Sequence, residues 1–139
     1  MNTTFTPNLM TKDVNATVKF YRDRLGFQLM MGVPFNSETA VEELSDDIPL
    51  QYAMLTRDSA MVMAQHQQSL AEECDLFSDR PVATSGTFYM EVENLDQLLP
   101  GLGDDIEIAL PQRITFYGMR ELWIRDNNGY VITLAQKHS

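Results

Sequence analysis

The sequence predicts an α+β domain built from two βαβββ modules, whose curved mixed sheet leaves a concave groove on one side. Three observations carry that prediction. Apolar patterns of strand and helix period alternate in the same order twice along the chain. The tract Leu55-Thr56-Arg57-Asp58 leading to Met63-Ala64-Gln65 is echoed by Trp123-Ile124-Arg125-Asp126 leading to Leu134-Ala135-Gln136. A strand, an acid and a helix at residues 5–25 return as a strand, an asparagine and a helix at residues 87–99. One such module cannot cover both faces of its own sheet, so two are expected to carry helices outside and a groove inside.

The elements follow in order. Residues 5–10 read as a strand, and Asp13 or Asn15 is positioned to cap the helix after it. Val14, Val18, Tyr21 and Leu25 recur at helical spacing and form its buried face, and Gly26 supplies a left-handed stop. Residues 27–31 read as the next strand. Residues 34–49 are polar and acidic, with Glu42, Glu43, Asp46 and Asp47, and read as a loop over the groove mouth. A hairpin follows, 52–56 and 60–65, turning at 57–59. Residues 66–85 form a connector with one short helix near 69–74. The second module runs through a strand at 87–92, a helix at 95–99 capped by Asn94, and strands at 106–109, 114–116, 119–125 and 130–135. The whole is expected to be a single domain over residues 1–139, with module one at about 5–65 and module two at about 86–137.

With 44% hydrophobic and 22% charged residues in 139, the composition is that of a folded globular chain. No apolar run approaches the length of a membrane span. The start, Met1-Asn2-Thr3-Thr4-Phe5-Thr6, lacks the basic residues and apolar run of a signal peptide, so a cytoplasmic location is expected. A net charge of −10 disfavours nucleic acid and anionic membrane as partners and is compatible with cationic small molecules. Cys74 is the lone cysteine, and the only histidines are His66 and His138, so neither a disulfide nor a cysteine nucleophile is expected.

Asp126-Asn127-Asn128-Gly129 reads as a turn with glycine in the left-handed position. That register pairs Arg125 with Val131, Ile124 with Ile132, Trp123 with Thr133 and Leu122 with Leu134. Paired residues share a face. Leu122, Ile124, Ile132 and Leu134 then pack against helices, while Glu121, Trp123, Thr133 and Ala135 face the groove.

The segments Asp13-Val14-Asn15-Ala16-Thr17-Val18-Lys19-Phe20-Tyr21-Arg22-Asp23-Arg24-Leu25-Gly26-Phe27, Tyr117-Gly118-Met119-Arg120-Glu121-Leu122 and Asp126-Asn127-Asn128-Gly129 resemble the opening and closing motifs of the vicinal oxygen chelate superfamily. That group holds glyoxalases, extradiol dioxygenases and bleomycin-resistance proteins, and the chain looks most like the last branch. The resemblance implies the vicinal oxygen chelate fold over nearly the whole chain. In metal-dependent relatives a His or Gln on the first strand and a Glu on the last strand of each half bind a divalent ion. The matching positions here are Thr6, Thr87 and Thr133, with Val62 or Met63 in the first half. Hydroxyl and apolar groups leave a divalent charge uncompensated, so no metal and no other cofactor is expected. A site from Glu91, Glu121 and His66 would need three donors to converge, which no spacing demands.

The remaining groove face offers Asn8, Met10, Thr87, Tyr89, Glu91, Glu121, Trp123 and Thr133, with Phe35 joining from the loop and Tyr52 from the first sheet. Aromatics with a few hydroxyls and carboxylates suit a flat organic ligand, a cationic one included. Methionines such as Met54, Met61, Met63 and Met90 are expected mostly as core filling, with adaptable groove walls as the other use. The expected function is metal-independent capture of a small aromatic ligand, as in antibiotic sequestration. This reading leans away from an enzyme. Two rivals stay open: a lyase, isomerase or dioxygenase with a displaced metal site, and a non-catalytic partner-binding or regulatory domain. Exposed groove edges point to a homodimer, and the halves could pair within one chain or across two.

Overall fold

The computed structural model describes residues 3–138. The chain divides into two compact units, Met1–Val82 and Ala83–Ser139. Each is a βαβββ module, so the duplication legible in the sequence is the architecture.

In the first unit, β1 (Asn8–Thr11) leads into α1 (Val14–Leu25), then β2 (Gln28–Pro34), β3 (Leu50–Arg57), β4 (Ala60–His66) and the short α2 (Gln67–Glu73). The sheet order is β1-β4-β3-β2, with β1 parallel to β4 and the other pairs antiparallel. Of the two candidate caps for α1, Asp13 does the work: its Oδ1 accepts from the Ala16 N–H at 3.0 Å. Asn15 does something else. Its amide donates to the carbonyls of Ser45 and Ile48 and accepts from the Leu50 N–H, pinning the end of the acidic loop to the helix. Gly26 ends the helix at φ +75°. Val14, Val18, Tyr21 and Leu25 are buried, as are Leu9, Ala53, Leu55, Val62 and Ala64 on the sheet face that meets the helix.

The second unit contains β5 (Thr87–Glu91), α3 (Leu95–Leu98) continued by a 3-10 turn over Leu99–Leu102, β6 (Glu107–Ile114), β7 (Met119–Arg125) and β8 (Val131–Lys137). Its order is β5-β8-β7-β6, with β5 parallel to β8. The β7–β8 register is the one the turn chemistry demands: Trp123 faces Thr133 and Leu122 faces Leu134. Gly129 sits at φ +87° and donates to the Asp126 carbonyl at 3.0 Å. Leu122, Ile124, Ile132 and Leu134 are buried on the side of α3, whose Leu95 is fully covered.

Three expectations are corrected. β1 begins at Asn8 rather than residue 5, because Pro7 has no N–H for a ladder; its carbonyl still accepts from the Met63 N–H. The two strands expected at 106–109 and 114–116 are one edge strand, β6, whose register shifts on either side of Leu110 accommodate Pro111. The methionines are not core filling: among the described residues only Met119 is buried. No described helix is long and apolar enough to cross a membrane.

Candidate functional site

Alternation and register bring six of the nominated residues to one face of the second sheet. Tyr89, Thr133, Trp123 and Leu110 form one row across β5, β8, β7 and β6; Glu91, Ala135, Glu121 and Arg113 form the next. Thr87 begins the third row on β5. Tyr117 joins from the turn between β6 and β7. In that turn the Gly118 N–H donates to the Thr115 carbonyl, and Gly118 takes φ +82°, a backbone state that suits glycine.

Glu121 is the centre of this face. Its Oε1 accepts from Trp123 Nε1 at 3.1 Å and lies 3.5 Å from Arg113 Nη2. Its Oε2 accepts from the Tyr89 hydroxyl at 3.1 Å and the Tyr117 hydroxyl at 2.6 Å. Three hydrogen bonds and one ion pair thus surround the carboxylate. Glu121 has no exposed surface, yet Tyr89 and Tyr117 are 52% and 53% exposed. The carboxylate therefore lies beneath a single layer of side chains that also meets solvent.

Burial alone would push the Glu121 carboxyl upward; the bonds from Tyr117, Trp123 and Tyr89 and the charge of Arg113 outweigh it and hold it below its ordinary value. Conversely, desolvation and the bond to Glu121 push the Tyr89 hydroxyl up to about 12. Tyr117 is raised as well, chiefly by its bond to Glu121. Both tyrosines stay protonated near neutral pH and spend those protons on Glu121. What their oxygens turn outward is acceptor only. The Arg113 guanidinium lies over the Trp123 ring, 5.8 Å from its centre, so Trp123 already carries one cation on one face.

This geometry changes the role expected of Glu121. Its charge is consumed within the protein, so it orients the three aromatics instead of meeting a ligand. Glu91 is exposed on β5 and extends the same face. Asn8, Phe35 and Tyr52 belong to the first unit. There Asn8 donates to Gln65 Oε1 at 2.9 Å, Phe35 packs edge-on against His66, and the Tyr52 hydroxyl points at the Met63 sulfur.

Sequence reasoning missed two members of the site. Tyr117 stood inside the tract Tyr117-Gly118-Met119-Arg120-Glu121-Leu122 and was read only as part of a motif. Arg113 fell in the gap between two supposed strands. A continuous β6 would have set it opposite Glu121.

The positions matched to the family's metal donors do not fit a divalent ion. The Thr87 and Thr133 hydroxyls bond to each other at 2.7 Å, and neutral hydroxyls do not offset a divalent charge. In the first unit, Val62 is buried on the helix side of the sheet and Met63 lies on the other side, opposite Asn8. Among the described residues, no three His, Cys, Asp or Glu side chains gather where they could hold one ion.

No protein-family model matches the sequence, and no curated protein matches it significantly. Solved structures do match its fold. A glyoxalase/bleomycin resistance protein/dioxygenase from Nocardioides aligns over 100% of this chain and 86% of its own, with 16% identity and a TM-score of 0.68. TioX from Micromonospora sp. ML1 aligns over 98% of this chain and 99% of its own, with 15% identity and a TM-score of 0.69. A protein of unknown function from Agrobacterium tumefaciens aligns over 99% and 96%, with 18% identity and a TM-score of 0.73. The shared feature is the fold, which is that of the glyoxalase/bleomycin resistance protein/dioxygenase superfamily.

Proposed function

We propose that this chain, which carries the vicinal oxygen chelate fold, is a metal-independent binder of a small aromatic ligand bearing hydrogen-bond donors, such as an aromatic amine or cation. The observation that carries the reading is the pair of tyrosine hydrogen bonds to Glu121. Because Tyr89 and Tyr117 both donate to its Oε2, any ligand that hydrogen-bonds to them must supply the proton. Rings locked by a buried carboxylate lose little freedom on binding, which favours stacking on the exposed rings. Arg113 does not forbid a cationic partner, since its charge is balanced by Glu121, while Glu91 adds negative charge to the same face. Sequestration of an aromatic antibiotic, bleomycin-type compounds included, is the use this chemistry suits. No group on this face is placed as a nucleophile, and the matched metal positions lack donors, so capture without bond-making is the reading supported best.

The test is a matched pair of ligands. Two compounds with the same fused ring, one bearing an amine and the other a carboxylate, are compared by their effect on melting temperature. The amine should raise it in a concentration-dependent way and the carboxylate should not. A larger shift with the carboxylate would contradict the donor rule.

A further inference from the structure

The first unit holds a feature that the reading of the second unit does not use. Register places Met31, Met54 and Met63 side by side in one row across β2, β3 and β4, with Asn8 at its end on β1. Met10 and Met61 lie on the same face in the flanking rows, where they share registers with Gln65 and Thr56. Five of the nine methionines thus occupy the face opposite α1. The helix side carries Leu9, Ala53, Leu55, Val62 and Ala64 instead. This segregation is not what packing requires, since the buried face uses aliphatic residues with fixed rotamers and the half-buried face uses thioethers. The Tyr52 hydroxyl is directed at the Met63 sulfur on this same face.

We propose that Met31, Met54 and Met63 form a binding site for a soft monovalent d10 cation, Cu(I) or its redox-inert analogue Ag(I). Neighbouring side chains in a cross-strand row start about 5 Å apart at Cβ. The unbranched methionine chain has three rotatable bonds, enough for three sulfurs on adjacent strands to converge on one ion. Thioethers are soft, neutral ligands that select Cu(I) over hard or borderline divalent ions. They carry no proton to lose, so binding should persist at pH of about 5, where imidazole and thiol ligands are largely protonated. This row belongs to the first unit and the face around Glu121 to the second, and failure of this proposal would leave that reading untouched.

The experiment titrates the full chain with Ag(I), and anaerobically with Cu(I) against a chelator, while following the methionine methyl resonances by NMR. A Cys74→Ser background removes the one thiol, the strongest competing soft ligand. One ion per chain should bind in that background at both neutral pH and about pH 5, shifting the methyls of Met31, Met54 and Met63. Met54→Leu and Met63→Leu, which conserve volume, should each weaken binding at least tenfold without lowering the melting temperature of the metal-free protein. Met90→Leu, in the second unit, should change nothing. Loss of binding in Cys74→Ser, indifference to both leucine variants, or methyl shifts that spare the row would overturn the proposal. If a leucine variant folds poorly, the methyl shifts in the Cys74→Ser protein decide alone.

Discussion

Replacing Glu121 by leucine removes the acceptor of three side-chain donors and the partner of Arg113 in one step. Losing these bonds should cost roughly 1–3 kcal/mol in unfolding free energy. Acid gives an independent check. A carboxyl held below its ordinary value of 4.5 stabilises the fold fully above that pH, and loses this contribution as the pH falls through the lowered value. Denaturant unfolding should therefore show wild type losing more stability than Glu121→Leu on acidification below about 4.5. Parallel losses in both proteins would mean that the carboxylate carries no such linkage. Of this cluster, the sequence displayed Tyr89, Glu121 and Trp123 through alternation alone. It concealed Arg113 behind a misread strand, and it concealed the role of Glu121 because side-chain hydrogen bonding depends on rotamers that no spacing encodes.

Among the elements, the β7–β8 hairpin does the most to place the candidate site, because its register decides whether Trp123 lies on the face of Glu121 or on that of α3. Its turn depends on Gly129 at φ +87°. An added Cβ there would also fall 2.7 Å from Arg125 Nη2, the far end of a flexible side chain that can move aside. Backbone strain is then the main cost, and Gly129→Ala should destabilise by about 1–2 kcal/mol in thermal or denaturant unfolding. An unchanged melting temperature would place the turn, and the face built on it, in error. This hairpin was legible because Asp-Asn-Asn-Gly leaves few backbone solutions. β6 was not, because Pro111 reads as a strand breaker and is tolerated here only on an edge strand, within a register shift. Nor did local pattern reveal the Asn15 latch, which joins residues 30 to 35 positions apart.

For the molecule as a whole, duplication was the strongest signal in the sequence, since each half repeats the same order of elements and the same sheet order. Function was less legible because the fold hosts several chemistries, and only the side chains at the site discriminate among them. The donor chemistry at Thr87 and Thr133 leads to one whole-molecule expectation: elemental analysis of purified protein should find well under one zinc, iron, nickel or manganese per chain. A stoichiometric divalent ion would count against the metal-independent reading. Soft monovalent binding at the methionine row is a different chemistry and is not touched by that result.

Trp123 is the only tryptophan in the chain, so its emission reports directly on the face that Glu121 organises. The most direct measurement is a fluorescence titration with an aromatic amine, repeated on Tyr89→Phe/Tyr117→Phe and read against a calorimetric titration of Trp123→Ala. The account predicts a saturable change in emission for wild type. It predicts weaker binding when the two acceptor oxygens are removed, and affinity lower by roughly 1–3 kcal/mol when the indole is lost. Emission unmoved across a broad panel of aromatic amines and cations, or equal affinity in all three proteins, would contradict it.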